Sequence, residues 1–171
     1  MKGSILTEPT KKCYGMNQLK QKRYYTDMKE IFDGINNVQT DYNWLITNYE
    51  CNHYPDDKIP FDKDYVWISG EELTDIVKTN SIQFIWGVFS GFNKNVSLYE
   101  VLKEELPFAD GYTGFWENEI TMQHPLAEIE IVPWDSSVCL LISKHSDTID
   151  CFRKHFEDSR DLQEYNSSLK S

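Results

Sequence analysis

The chain has 171 residues, of which 40% are hydrophobic, 14% aromatic and 26% charged, and its formal net charge is −11. This composition excludes disordered, collagen-like and low-complexity classes and suits a single domain with a sizeable core. The charge disfavours nucleic acid and anionic membranes, which bind proteins through their phosphates, and no apolar run approaches the roughly 20 residues of a membrane helix.

The charge is uneven. Residues 1–30 carry a net +4, leaving −15 on the rest of the chain. A surface of that sign attracts and steers a basic protein partner. No apolar run of signal-peptide length follows Lys2, so the N-terminal stretch is not read as a secretory signal. The four cysteines form no C-x-x-C pair and read as reduced thiols of a cytoplasmic protein. Cys151 and His155 fall on one helical face, but two ligands do not make a zinc site. No metal or cofactor is expected.

In chain order, Lys2–Thr7 alternates as a strand, and the basic stretch 8–23 reads as a loop or arm. Thr26 is the expected N-cap of a helix carrying Met28, Ile31, Phe32 and Ile35 at helical spacing. Tyr42–Tyr49 is rich in aromatic and β-branched residues, as strands are. The Pro- and Asp-containing stretch 51–63 follows as a loop. Tyr65–Ile68 is a short strand running into Ser69, which caps a helix with Glu71 and Glu72 at its positive end. Ile82–Phe89 is too continuously apolar to be half-exposed and should lie centrally in the sheet. Ser97 caps a helix over Leu98–Glu105. Leu126–Val132 alternates strictly, with Leu126, Glu128, Glu130 and Val132 on one side, and Val138–Ser143 is its hairpin partner across Pro133–Ser137. A helix over Asp147–Phe156 and a short helical stretch, Asp158–Tyr165, precede a polar tail, 167–171, expected to fray. The order predicts one α+β domain over 1–171, with a mostly antiparallel sheet of about six strands and helices mainly on one face.

No G-x-S-x-G, glycine-rich phosphate loop, HExxH or EF-hand loop occurs. Two features remain. Glu128, Glu130 and His124 would serve a carboxylate-based, metal-dependent enzyme if they converged, although alternate acids on a strand read more simply as its solvated face. The segment 108–135 interleaves aromatics with acids, as interface hot spots do. Its candidate partner-binding residues are Asp110, Tyr112, Phe115, Trp116, Glu117, Glu119, Glu128, Glu130, Trp134 and Asp135, with Phe108 beside them. Trp44, Trp67 and Trp86 read as core. The residues favour a non-enzymatic acidic binding protein; the alternatives are the carboxylate enzyme and a regulatory or structural subunit.

The segments YVWISGEELTDIV, IQFIWGVFSGF and IEIVPWDSSVCLLISK, followed by an amphipathic helix, resemble small cytosolic proteins of Firmicutes, some of which are immunity proteins encoded beside polymorphic toxins. The resemblance is one of layout over residues 40–157 and carries no catalytic motif. It implies a protein that neutralises a basic toxin domain, such as a nuclease, by covering its active or substrate-binding surface.

Overall fold

The computed structural model describes residues 1–7, 26–55 and 63–170. The elements are β1 (Lys2–Thr7), α1 (Met28–Gly34), β2 (Tyr42–Cys51), β3 (Tyr65–Ser69), α2 (Gly70–Thr79), β4 (Phe84–Asn93), α3 (Leu98–Val101), β5 (Ile129–Trp134), β6 (Val138–Ser143), α4 (Ser146–His155), β7 (Arg160–Asp161) and α5 (Leu162–Leu169). Short 3-10 turns lie at Val38–Asp41 and Gly114–Trp116. The strands form one sheet in the order β3-β2-β4-β5-β6-β1-β7, with every pairing antiparallel. The α+β architecture is as expected, and the short strand β7 extends the expected six to seven. The basic stretch 8–23 lies outside the described residues.

Strand alternation sorts the apolar residues onto two faces. Leu6, Trp44, Ile46, Phe89, Ile129, Ile131 and Leu141 point to one face, which α1, α2 and α4 cover with Phe32, Leu73, Ile76, Ile149 and Phe152. Ile5, Leu45, Val88, Phe92, Val132, Leu140 and Ile142 point to the other. That second face is covered by α3, α5 and the long irregular segment between β4 and β5, through Val101, Ala109, Phe115, Met122 and Leu162. Among the described residues, helices therefore lie on both faces, three on the first and two on the second.

Local chemistry accounts for the ends. Ser69 and Glu72 form a reciprocal capping box at α2, and Ser97 and Glu100 form another at α3. Ser69→Ala is expected to lower stability by about 1 kcal/mol, which urea denaturation would measure. The cap of α1 is Asp27, whose carboxylate accepts from Lys29 N–H, rather than the expected Thr26, whose hydroxyl is buried without a hydrogen bond. Helix α3 is shorter than expected and ends at Val101. Helix α5 runs through Leu169, so Ser167 and Ser168 lie in its last turn, where their hydroxyls donate to Gln163 and Tyr165 carbonyls.

One irregularity matters for the second face. Thr47 pairs with Val88 and Glu50 with Trp86, so Asn48 and Tyr49 together oppose Gly87 in a β-bulge. Asn48 takes a left-handed conformation there, φ +46°. Its side chain is thereby re-aimed at the segment between β4 and β5.

Candidate functional site

The candidate surface rests on that irregular segment, so what fastens it decides whether it is a defined surface. Four polar side chains do so. Asn48 Oδ1 accepts from the N–H groups of Ala109 and Asp110 at 2.7 and 3.0 Å. Gln123 clips Phe108, accepting from its N–H at 3.1 Å and donating to its carbonyl at 2.7 Å. Asn166 of α5 donates to the carbonyls of Phe115 and Glu117 at 2.9 and 2.7 Å. Glu130 of β5 accepts from Gln123 N–H at 2.9 Å and His124 N–H at 3.0 Å. Asn48, Gln123 and Asn166 were not singled out from the sequence. Asn48 alone left a signal, being an asparagine inside a run of strand formers.

Held in this way, the predicted aromatics meet. Phe108 contacts Tyr112 at 5.4 Å between ring centroids, and Tyr112 contacts Phe115 at 4.8 Å. Phe115 reaches Trp134 at 6.1 Å, and Trp134 meets Trp116 at 5.1 Å, with rings perpendicular. Trp86 joins Trp134 at 4.9 Å, and Tyr165 joins Trp116 at 6.4 Å. Edge-to-face contacts of this kind add stability beyond the area they bury. Tyr112, Trp116, Trp134, Trp86 and Tyr165 are half-buried, and Phe108 is exposed. Phe115 is fully buried and belongs to the core, which corrects its expected surface role. Trp86 and Trp67, read as core, are only half-buried, and Trp86 belongs to the aromatic row.

The acids divide into three groups. Asp110, Glu119 and Asp135 are exposed, and none of the three forms an ion pair among the described residues. Asp135 sits beside Trp134 at the tip of the β5–β6 hairpin, where it and Ser136 are both left-handed. Glu117 is exposed and bridged to Lys170 at 2.8 Å. Glu128 is half-buried and pairs with Lys144 at 3.0 Å and His145 at 3.3 Å, away from the aromatic row.

Glu130 is a correction. It was expected on a solvated strand face and is completely buried. Glu130 and Val132 do share a face, as the alternation predicts, but the irregular segment covers that face. The carboxylate accepts from Ser90 Oγ at 3.1 Å as well as from the two backbone N–H groups. Burial pushes its pKa up to about 7.

Glu128, Glu130 and His124 do not converge on a solvent-accessible point. The His124 ring is buried against Phe92, its Nε2 facing the Val101 carbonyl at 3.1 Å while Nδ1 accepts from Leu126 N–H at 3.2 Å. Both ring nitrogens are therefore engaged with backbone, and the imidazole reaches neither Glu130 nor Ser90 as a base would. Burial holds its pKa below the usual imidazole value. Burial also pushes the Cys51 and Cys139 thiols up, to about 11 and about 12, the reverse of nucleophilic activation. Among the described residues no group of three or more His, Cys, Asp or Glu is placed to hold a metal ion, and no helix is long and apolar enough to cross a membrane. No protein-family profile, curated protein or solved structure matches the chain.

Proposed function

We propose that this chain is a cytoplasmic binding protein whose partner is a basic protein domain. The class of partner is the one its layout implies, a bacterial toxin domain neutralised by covering its active or substrate-binding surface. The observation that carries this reading is the aromatic row around Trp116 and Trp134, half-buried and packed ring against ring, with the unbridged carboxylates of Asp110, Glu119 and Asp135 close to it in the chain. Half-buried tryptophans provide anchors at low entropic cost, because their rotamers are already fixed by neighbours. Exposed acids beside them raise the encounter rate with a basic surface and penalise acidic competitors. The net charge of −11 acts in the same direction at longer range. Exposed carboxylates on that surface would occupy a nuclease's substrate surface by charge mimicry.

The test uses the purified chain as bait at low and at high salt, followed by kinetics on whatever basic domain is retained. Glu119→Lys with Asp135→Lys is expected to slow association about tenfold or more at low salt, with a smaller change in dissociation. Glu117→Lys is expected to do less, because Lys170 already offsets that charge. A basic partner whose association rate is unmoved by these changes would show that it docks elsewhere.

A further inference from the structure

Three exposed large apolar side chains between β4 and β5 lie outside the aromatic row. Tyr99 is 75% exposed, Leu102 38% and Leu126 39%. Tyr99 and Leu102 are three residues apart on and just past α3, so they lie on adjoining parts of one helical face. Leu126 is distant in sequence, but His124 ties its backbone to that of Val101, next to Leu102. The imidazole spans from the Val101 carbonyl to the Leu126 N–H, 3.1 and 3.2 Å away, and so ties the end of α3 to the loop that enters β5. The other end of α3 is fixed by the Ser97–Glu100 capping box. The apolar patch is therefore built and held before anything binds it, which lowers the ordering cost of binding.

Its rim is acidic. Glu104 and Glu105 are exposed and take part in no ion pair among the described residues. Lys103 is the only base between residues 99 and 135, against nine acids. Its ammonium lies over the Tyr99 ring, 4.5 Å from the centroid. The ring thus already accepts a cation on its open face. The patch also lies away from Trp134: it is next to the Ile129 end of β5, while Trp134 is at the other.

The geometry points to a second docking surface, formed by Tyr99, Leu102 and Leu126 and rimmed by Glu104 and Glu105, that seats a basic amphipathic segment of the protein partner: apolar side chains on Leu102 and Leu126, a lysine or arginine on Tyr99 in place of Lys103. This rests on the reading above that the partner is basic. Two contact sites at opposite ends of one sheet face would engage one partner together and strengthen binding beyond either alone.

The experiment titrates the isotope-labelled full chain with an amphipathic lysine–leucine peptide, and separately with oligolysine of equal charge, following backbone amide signals. The amphipathic peptide is expected to give saturable shifts centred on Tyr99, Leu102 and Leu126, with oligolysine at least about tenfold weaker there. Leu102→Ser is expected to weaken the peptide about tenfold, and Glu104→Gln with Glu105→Gln several-fold, with a flatter salt dependence. Tyr99→Ser, at the most exposed position, repeats the test should Leu102→Ser alter the fold. Shifts confined to Trp116 and Trp134 would overturn this second surface and leave the proposed function standing. Equal binding of oligolysine would overturn the apolar anchor. Self-association through Tyr99 and Leu102 on concentration would make a second copy the occupant and overturn the proposal. No shift anywhere would count against both readings.

Discussion

Gly70→Ala is expected to cost about 3 kcal/mol or more, the upper range for overpacking against atoms that cannot move aside. A Cβ at Gly70 would lie 1.9 Å from the Gln39 carbonyl oxygen, 2.8 Å from its carbon and 2.9 Å from Thr40 Cα, all backbone. The contact is the place where α2 begins against the turn at Val38–Asp41, and it is crossed by hydrogen bonds. Gln39 Nε2 donates to Thr74 Oγ1 at 3.0 Å, and Thr74 Oγ1 donates to the Gly70 carbonyl at 2.6 Å. The Gln39 carbonyl also accepts from Trp44 Nε1 at 2.9 Å. Moving the helix to admit a methyl group would break several of these at once. Gly91→Ala serves as a contrast. Its Cβ would meet the Ile129 Cγ2 methyl at 2.6 Å and the Trp44 ring at 3.1 Å, both side chains, so about 1–3 kcal/mol is expected. Urea denaturation of both variants checks the ordering. A loss below about 0.5 kcal/mol for Gly70→Ala, the size of a neutral surface change, would contradict the close approach.

The second large effect is at Glu130. Glu130→Ala is expected to lower stability by about 3–5 kcal/mol, since it strands Ser90 Oγ and two backbone N–H groups in the interior and leaves a void. The effect has a pH signature. The carboxyl titrates near 7 in the folded protein against an ordinary value of 4.5, because burial penalises its charge. A raised folded-state value means the folded protein holds this proton more tightly than the unfolded chain. Its stabilising contribution is therefore fully present below pH 4.5 and is lost as pH rises towards and through 7, by about 3 kcal/mol in all. The three donors that face the carboxyl, Ser90 Oγ and the Gln123 and His124 N–H groups, pull the other way and only partly offset burial. His124 acts in the opposite sense. Its lowered value means it resists protonation when folded, so its contribution holds above 6.5 and falls away in acid. Comparison with Glu130→Gln isolates the carboxyl. The stability advantage of the native chain over this variant should be larger at pH 5 than at pH 8, whereas parallel pH profiles would contradict the assignment.

Elements governed by local chemistry were legible in the sequence, and those governed by long-range contacts were not. The strand β1, the Ser69 cap of α2 and the β5–β6 hairpin follow from short spacings and turn residues, and each is present. Asp27 displaced Thr26 as a cap by one position, within the reach of any local argument. Strand β7 has two residues and exists only because β1 offers an edge, which no pattern within residues 160 and 161 encodes. Glu130 shows the more instructive failure. Alternation says which residues share a face but not what covers that face, and here the cover is an irregular segment fastened by side chains far apart in sequence. The candidate surface was legible in its aromatics for the reverse reason: Phe108 to Trp116 are neighbours in the chain, and the tight hairpin presents Trp134 to them. Phe115 was lost to the core because it points inward where its neighbours do not. Tyr99, Leu102 and Leu126 were missed because their exposure depends on how short α3 is, and on the bridge that His124 makes.

The central claim is that the surface beside Trp134 meets a basic protein. A photo-crosslinking amino acid placed at Asp135, in the exposed hairpin tip, tests it in the cell of origin, with the same group at Lys78 on α2, across the sheet, as control. The account predicts one specific adduct from position 135, to a basic protein domain, reduced by Glu119→Lys and absent from position 78. Adducts of equal yield from both positions, or none from position 135 while a partner still co-purifies, would contradict it.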